Sequence, residues 1–276
     1  MKPLIYNNKV LHQNGKVWSG VNFPGVKQFE VDTDGTLTTD LQHYYKFDDW
    51  KDFWGTNDLT TNVHGYPNTY YEQSGHTSIV SGGIRNNRIY FSDSGKTYSG
   101  VQQTSNTDFG SSGSIAFWVY QKSGAVDTNA TYIDGEPTNF AYLYSGKEPM
   151  NIQRGGTTLY GRLTWSGWGN SSKSEAFGSY GSAITENTLV HIIYTWNGTN
   201  RKGYINNVQR WSNTSSKGQS TAYPGALSFG SPWQGQTGRQ SLYGYIEEMG
   251  IWEKELSSQE RSDIYGSGNG NTMILG

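Results

Sequence analysis

The 276-residue chain contains no cysteine, so disulfides and metal sites built from thiolates are excluded. Charged residues make up only 16% of the sequence and the net charge is −2, which argues against the basic surface of a nucleic-acid-binding protein. The apolar runs are short, and none reaches the length of a membrane-spanning helix. The first residues lack the continuous apolar segment of a secretory signal peptide, so we expect neither secretion by that route nor membrane insertion.

Glycine and aromatic residues are abundant instead. The chain contains 36 Gly, 20 Tyr, 10 Trp and 10 Phe, whereas hydrophobic residues as a whole reach only 33%. Aromatic side chains favour strands, and Gly and Asn favour the tight turns that join strands. Turn signals recur about every 8–12 residues, a spacing typical of sandwiches and jelly rolls. The sequence therefore predicts an all-β fold made of antiparallel sheets.

The most informative stretch is residues 241–265, which combines a strand with a short helix. The strand carries two neighbouring acids, Glu247 and Glu248, which strict alternation places on opposite faces. The helix has a start signal, because Ser257 and Glu260 have the spacing of a capping box. An unpaired buried carboxylate is very costly, so an acid in mid-strand faces water or has a partner. We expect Glu248 to pair with a cation or a hydrogen-bonding neighbour.

Further segments precede this stretch in a recognisable order. They are the Tyr- and Asp-rich segment at 41–59, the strand RIYFSDSG at 88–95, the strand SIAFWVYQ at 114–121 and the hairpin at 189–209 with its Asn197-Gly198 turn. Together with the closing stretch they resemble the laminin-G-like, concanavalin A-like lectin and glucanase domains. The resemblance covers about residues 41–265. It implies a two-sheet antiparallel jelly-roll sandwich with a short C-terminal helix.

The ends of the chain lie outside this resemblance. Residues 1–36 contain short extended pieces and tight-turn signals, and they are too few to build a core of their own. We therefore predict an N-terminal β arm at 1–36, a sandwich domain at 37–266 and a flexible tail at 267–276. Such an arm would serve attachment or oligomerisation.

Catalytic motifs are missing. Retaining glycanases of the same fold carry E-x-D-x-x-E on one strand, which brings the acids into one cleft, and this spacing does not occur here. No G-x-S-x-G nucleophile motif occurs either. The histidines lack metal-site spacing, and His191, in an apolar strand, is expected to be a core residue. We expect no enzymatic activity, although acids brought together from distant positions leave a glycosidase open.

A structural calcium ion is implied by the resemblance, because many members of that family hold one between the closing strand and the loop after the first strand. Glu247 occupies the position of the family's acid in the closing strand, with Glu in place of the usual Asp, and Asp52 matches the acid of the early loop. Asp48, Asn57 and Asp58 supply further oxygen ligands nearby in sequence. The alternative is that these acids are solvated or cap turns.

Glycan binding is the second site prediction. Aromatic faces pack against sugars while polar side chains hydrogen-bond to hydroxyls, and two Gly-rich loops combine both kinds of residue. We expect ligand contacts from Trp165, Trp168 and Asn170 in the first loop, and from Trp233 and Arg239 in the second. Other aromatic residues, such as Trp118 and Trp196, are expected in the core.

These inferences predict a non-catalytic glycan-binding or adhesion protein. Its arm and lectin-like sandwich resemble the organisation of a phage tail fibre, receptor-binding or capsid-surface protein. On this interpretation it lies on the virion surface, contacts host-surface polysaccharide, and uses its arm to bind other virion proteins or to form a homo-oligomer such as a trimer. Two alternatives stay open: a purely structural virion decoration protein, and a carbohydrate-binding module of a secreted bacterial protein, located outside the cell or on its surface.

Overall fold

The computed structural model describes residues 4–6, 9–13, 16–17, 27–65, 69–72, 77–85, 87–92, 100–105, 107, 110–123, 130–136, 150–155, 158–164, 174–176, 185–214, 226–230 and 242–275. Within these ranges the chain forms 22 strands and one α-helix, followed by a short 3-10 turn. For residues 4–6, 9–13, 16–17, 62–65, 69–72, 130–136, 150–155, 158–164, 174–176, 213, 226, 228 and 275 the description covers the backbone alone.

The strands are short and follow one another in chain order. The first eleven are β1 Leu4–Tyr6, β2 Lys9–Gln13, β3 Lys16–Val17, β4 Lys27–Phe29, β5 Leu41–Tyr45, β6 Leu59–Thr60, β7 Asn62–Gly65, β8 Thr69–Glu72, β9 Thr77–Val80, β10 Arg88–Phe91 and β11 Val101–Gln103. The others are β12 Ser112–Gln121, β13 Ala130–Glu136, β14 Met150–Gly155, β15 Thr158–Thr164, β16 Ser174–Ala176, β17 Leu189–Asn197, β18 Asn200–Ile205, β19 Val208–Thr214, β20 Ala226–Phe229, β21 Gly244–Trp252 and β22 Met273–Leu275. The helix is α1 Ser258–Tyr265, and the 3-10 turn is Gly266–Gly268.

Two large antiparallel sheets form the body of the molecule. One has eight strands in the order β19-β18-β17-β12-β21-β10-β9, with β5 paired to the far part of β21. The other has seven strands in the order β16-β15-β14-β13-β20-β11-β6. Strands from distant parts of the chain are neighbours in both sheets, as in a jelly roll. The predicted all-β, two-sheet antiparallel fold with a short C-terminal helix is confirmed.

The main core lies between these two sheets. The eight-stranded sheet contributes residues such as Phe117 and Ile246, and the seven-stranded sheet contributes residues such as Val101, Leu227 and Phe229, each at most 1% exposed. Apolar residues alternate with others along β10 and β20, which is the period-two pattern of a strand with one face in a core. Two sheets that bury facing apolar surfaces form a sandwich.

A second core covers part of the outer face of the eight-stranded sheet. Trp252 and Ala116 of the sheet pack there against Phe29, Ile264 and Met273 from the two ends of the described chain. β4 pairs with β22, so residues of the predicted arm and of the predicted tail share one small sheet. The predicted boundaries at 36/37 and 266/267 stay a prediction, and the structure shows that residues outside them pack on the sandwich. The apolar side chains at both ends bury more surface against the sandwich than they would in a loose arm or tail.

Polar contacts also attach residues 31–37 to the helix. The Asp263 carboxylate accepts hydrogen bonds from the amide and hydroxyl of Thr33 at 2.7 and 2.9 Å. The Thr36 hydroxyl donates a hydrogen bond to Glu260 Oε1 at 2.6 Å. The three-stranded sheet β1-β2-β3 is the part of the predicted arm that does not pair with strands of the sandwich among the described residues.

The local start and turn signals are confirmed. Ser257 caps α1, and it exchanges hydrogen bonds with Glu260 in a complete capping box. Gly198 has a φ of 57° in the turn between β17 and β18, and Asn206 and Asn207 have φ values of 50° and 59° in the next turn. Asn and Gly adopt this left-handed conformation at low cost, which is why these turns are legible in the sequence.

The closing strand contains a bulge that alternation alone does not predict. Ala116 pairs with Gly250 and Trp118 pairs with Glu247, so β21 has one residue more than β12 across this interval. Glu248 is at the bulge, and its backbone has a left-handed φ of 48°. The prediction that Glu247 and Glu248 lie on opposite faces is therefore wrong. Ile246 and Met249 are both in the main core, and the two acids between them are turned away from it.

No helix among the residues described is both long and apolar enough to cross a membrane.

Candidate functional site

Asp52, predicted as a calcium ligand, is a hydrogen-bond acceptor that organises the loop after β5. Its Oδ1 accepts bonds from the amides of Tyr44, Trp54 and Gly55 at 2.9–3.2 Å. Its Oδ2 lies 2.6 Å from His43 Nδ1 and 3.2 Å from the amide nitrogen of Asn57. A carboxylate offers about four lone-pair sites, and these five contacts occupy them.

The electrostatics of Asp52 agree with this structural role. Burial acts to raise the pKa of Asp52, but the hydrogen bonds from His43 and from the amides of Tyr44 and Gly55 outweigh it and hold the pKa below its ordinary value. The side chain is ionised at neutral pH and stabilises the loop through charge-assisted hydrogen bonds.

The other three loop candidates are also engaged locally. Asn57 Oδ1 accepts from the amide of Ser105 at 2.8 Å, while its Nδ2 donates to the Ser105 carbonyl at 2.9 Å. Asp58 accepts from Lys51 Nζ at 2.6 Å and from the amide of Asp52 at 3.0 Å. Asp48 lies 3.4 Å from Lys46 Nζ. The hydrogen bond from the Asp52 amide to Asp58 agrees with the alternative of a turn cap, whereas the ion pairs of Asp48 and Asp58 with lysines were not predicted.

Glu247 lies in another environment, on the outer face of the eight-stranded sheet opposite Trp118. It is fully buried, its Oε2 accepts from the amide of Ile84, and its Oε1 has no hydrogen-bond partner. Burial raises the pKa of Glu247, against the lowering effects of the Ile84 amide and the positive charge of Arg88. Glu247 is therefore a poorly compensated buried acid at neutral pH.

The five predicted calcium ligands do not form a ligand cluster. No group of three or more His, Cys, Asp or Glu side chains arranged for a metal ion occurs in the described part of the chain, which includes all five candidates. The lone pairs of Asp52 are already used, and Glu247 contacts the 84–88 segment instead of the loop. Calcium binding stays a prediction, and the geometry of these residues does not fit it.

Glu248 has the hydrogen-bonding partner that the sequence predicted. The Tyr44 hydroxyl donates to its carboxylate and lies 3.2 Å from the Asn271 carbonyl. Burial and the charge of Glu248 raise the pKa of Tyr44 well above its ordinary value, so the hydroxyl keeps its proton. This contact joins the bulge of β21 to β5 and to the C-terminal segment.

His191 is a core histidine, as predicted. It is 2% exposed, and its ring centroid lies 4.7 Å from that of Trp118 and 5.8 Å from that of Tyr265, so the three rings pack in one cluster. Burial lowers the pKa of His191 to about 3. The imidazole is neutral at physiological pH and serves packing, not proton transfer.

The predicted glycan ligands lie outside the described residues. Trp165, Trp168 and Asn170 follow β15, whereas Trp233 and Arg239 follow β20, so both loops adjoin the seven-stranded sheet. β15 and β20 are separated by β14 and β13, each pair antiparallel, so β15 and β20 run in opposite directions. The two loops therefore leave the sheet at opposite ends.

Between these loops, one register row crosses the seven-stranded sheet. Leu227 and Phe229 belong to the core, so the position of Ser228 between them lies on the outer face of the sheet. Residues paired across antiparallel strands share a face, which places six other positions in the same row. In strand order the row is Thr60, Gln102, Ser228, Asp134, Asn151, Arg162 and Ala176.

This row is polar at nearly every position. At about 4.8 Å between neighbouring strands, the stretch from Gln102 to Arg162 extends about 20 Å. The backbone register places Ser228, Asp134, Asn151 and Arg162 at positions of one face, and these are residue types that can hydrogen-bond to sugar hydroxyls. Gln102, at the end of the row, is buried. The sequence shows polar residues at alternate positions of each strand, but it does not show which strands are neighbours. The row could therefore not be predicted from the sequence.

A family model of the concanavalin A-like lectin/glucanases superfamily matches residues 92–260, more than half of the chain. The chain belongs to this superfamily. The predicted laminin-G-like, concanavalin A-like resemblance is thereby confirmed. The match begins after Phe91, so it includes Glu247 but not the four predicted calcium ligands of the early loop. No curated protein sequence matches the chain.

Solved structures show the same fold at low sequence identity. Domain 4 of AbnA, a GH43 extracellular arabinanase from Geobacillus stearothermophilus, in complex with arabinotriose, matches with a TM-score of 0.55 and 20% identity, covering 81% of this chain and 97% of that one. The binding domain of Paraclostridial Mosquitocidal Protein 1 has a TM-score of 0.56 and 15% identity, with 84% and 53% covered. The binding domain of Botulinum Neurotoxin DC in complex with SialylT has a TM-score of 0.52 and 16% identity, with 84% and 52% covered. The chain thus spans about half of the two toxin binding domains.

Proposed function

We propose that this protein binds glycans without hydrolysing them, and that the outer face of the seven-stranded sheet and its adjoining loops form the binding surface. The observation that carries the proposal is the polar row from Ser228 to Arg162, which crosses four neighbouring strands; Gln102, the next position of the row, is buried. It is supported by the fold, since the arabinanase domain was solved with arabinotriose and the neurotoxin binding domain with SialylT.

The absence of hydrolysis is part of the proposal. The retaining-glycanase motif is missing from the sequence. Three acids of the eight-stranded sheet and of the loop after β5 already accept hydrogen bonds within the protein. Asp52 accepts from loop amides, Glu247 from the Ile84 amide and Glu248 from the Tyr44 hydroxyl. A general acid for glycoside hydrolysis must instead reach the scissile oxygen.

A glycan array with the full chain, followed by titration of each hit, tests the proposal. We expect Arg162→Ala to weaken binding about tenfold or more, because it removes a multidentate donor from the row. Arg210→Ala is the matched control, since Arg210 is exposed on edge strand β19 of the other sheet. The bound oligosaccharide should keep its mass after prolonged incubation. An array without hits, or the appearance of shorter products, would contradict the proposal.

The proposed location is the surface of a phage virion, where the protein would contact host polysaccharide. The separate β1-β2-β3 sheet supports this proposal, because it supplies a part of the chain for binding other virion proteins or for trimerisation. Gold-labelled antibodies against the protein should decorate purified particles. Deletion of residues 1–26 should lower the oligomeric mass in solution but preserve glycan binding. Unlabelled particles would remove the virion assignment.

A carbohydrate-binding module of a secreted bacterial enzyme is the second candidate. It is favoured by the arabinanase domain, because the match covers nearly all of that domain. Titration with arabinotriose tests this candidate, and binding would favour it over the phage assignment. If no glycan binds and the arm is required for particle assembly, a purely structural decoration protein becomes the better account.

A further inference from the structure

Three tyrosines form a row on the outer face of the eight-stranded sheet, beyond the second core. Tyr245 pairs with Tyr90 on one side and with Tyr120 on the other. The neighbouring positions on these strands, such as Ile89 and Ile246, belong to the main core, so the tyrosines lie on the opposite face. Their ring centroids are 5.2 and 5.7 Å apart. All three side chains are half-buried and keep part of their surface in solvent.

Tyr243 and Lys122 complete this tyrosine patch, which we define as Tyr90, Tyr120, Tyr243, Tyr245 and Lys122. The ammonium of Lys122 lies 5.1–5.7 Å from the ring centroids of Tyr243, Tyr90 and Tyr245. Its backbone amide also donates to the Tyr243 carbonyl at 2.8 Å. The cation is thus held in the centre of a group of phenols.

A second cation adjoins the patch. The guanidinium carbon of Arg88 lies 3.8 Å from the Tyr245 ring centroid, so Arg88 stacks on one face of that ring. Its Nε is buried and has no hydrogen-bond partner among the described residues. The positive charge of Arg88 also acts on the buried carboxylate of Glu247 and lowers the pKa of that acid, but the described side chains show no ion pair between the two.

The cations near the second core differ from Lys122 in having a carboxylate. Lys254 lies 2.6 Å from Glu260, and Lys202 lies 2.7 Å from Glu255. Lys122 has no such ion pair among the residues whose side chains are described. Burial acts to lower the pKa of Lys122, but the surrounding tyrosines, which become negative when they ionise at high pH, outweigh it and raise the pKa, so the ammonium is charged at neutral pH. Among the described side chains, Lys122 therefore lacks the carboxylate partner that Lys254 and Lys202 have.

The chemistry of the patch fits an anionic sugar. Phenol hydroxyls and an ammonium together donate several hydrogen bonds to a carboxylate, and charge-assisted bonds of this type are about twice as strong as neutral ones. Half-exposed tyrosine rings offer apolar area to the carbon face of a pyranose. We propose that the tyrosine patch is a second glycan site, selective for carboxylate-bearing saccharides. The proposal rests on glycan binding as the protein's function but places this site on the opposite sheet from the polar row.

The test is calorimetric titration of the full chain with tetraglucuronate and with the same oligosaccharide after its carboxylates are reduced to hydroxymethyl groups. We expect tetraglucuronate to bind at least about tenfold more tightly than its reduced form. Lys122→Gln should remove most of this difference in affinity. Lys122→Arg should retain at least half of the difference in binding free energy between the two oligosaccharides. Arg210→Gln is the matched control, because it removes one positive charge from an exposed position of the same sheet.

A second variant keeps the test independent of folding effects. Tyr243→Phe preserves the ring beside Lys122 but removes a hydroxyl donor from the patch, and we expect it to weaken tetraglucuronate binding about threefold or more. Equal affinity for the acidic and reduced forms, or an undiminished preference in Lys122→Gln, would overturn the proposal. Binding of neutral glycans that survives in these variants would leave the polar row as the site. If the unaltered protein binds no glycan at all, both proposals are overturned.

Discussion

The outer face of the eight-stranded sheet is divided into two regions that use aromatic residues in opposite ways. In the second core, Trp252 is 2% exposed, stacks on Phe29 and donates its indole N–H to the Leu37 carbonyl at 2.7 Å. In the tyrosine patch, the rings contact one another and two cations but remain half-exposed. The same strands, β12 and β21, pass through both regions. Among the described residues, the two terminal segments cover the second core and not the tyrosine patch.

This difference separates stability from function on one sheet. A buried aromatic ring contributes through the apolar area it removes from water. A half-exposed ring beside a cation contributes less to the free energy of unfolding, because less of its area is buried. Its exposed area can contact a ligand. The three predictions that follow test this contrast, in order of decreasing effect.

The largest expected effect is the difference between removing one aromatic ring from the second core and removing one from the tyrosine patch. Trp252→Ala should reduce the free energy of unfolding by about 3–5 kcal/mol, because it leaves a cavity in the second core and an unpaired Leu37 carbonyl. Tyr120→Ala should cost about 1 kcal/mol or less, since its ring is half-exposed. Urea denaturation of both variants measures the comparison. Similar losses in the two would remove the distinction between the regions.

A smaller effect is expected at the boundary, where Glu247 lies between Trp118 and the tyrosine row. Its pKa is raised in the folded protein, so the native state retains a proton that the unfolded state has lost once the pH exceeds the ordinary value of 4.5. Ionised Glu247 therefore lowers stability at neutral pH. Glu247→Gln should raise the melting temperature at pH 7 by about 2 °C or more, with a gain that shrinks as the pH falls to about 4.

The control for this prediction is Glu253→Gln, because Glu253 is exposed next to the same strand. It should change the melting temperature little at either pH. A Glu247→Gln variant that is less stable at pH 7 would show that the carboxylate has a compensating partner, and a metal ion bound there would be the first to consider.

The smallest effect is expected from calcium. The lone pairs of Asp52 accept five hydrogen bonds, and Glu247 contacts a different segment, so added calcium should shift the melting temperature by less than about 1 °C relative to a chelator. Differential scanning fluorimetry with millimolar calcium or EGTA makes this measurement. A shift of several degrees that Asp52→Asn abolishes would restore the predicted site.

The sequence predicted the fold well because its signals are local. The capping box at Ser257 and Glu260 and the left-handed Asn and Gly turns report their own backbone conformations. Alternation then identified the strands at 114–121 and 189–197, whose pairing in the structure covers nine residue pairs. Family resemblance supplied the order in which these pieces assemble.

The site was less predictable because its determinants are non-local. Alternation cannot foresee a bulge, and the extra residue at Glu248 turned both acids away from the main core. The fit of Phe29 against Met273 joins positions separated by most of the chain, so neither end carries a signal for it. The polar row and the tyrosine patch each depend on which strands are neighbours, which no single segment specifies.

The most direct test of the account is one glycan array probed in parallel with the unaltered protein and the Arg162→Ala, Lys122→Gln and Arg210→Gln variants. We predict that the unaltered protein and Arg210→Gln bind both neutral and uronate glycans, that Arg162→Ala loses the neutral signals, and that Lys122→Gln loses the uronate signals. An array on which the unaltered protein binds no glycan, or on which all four proteins bind alike, would contradict the claim that the two outer faces of this sandwich are glycan-binding surfaces.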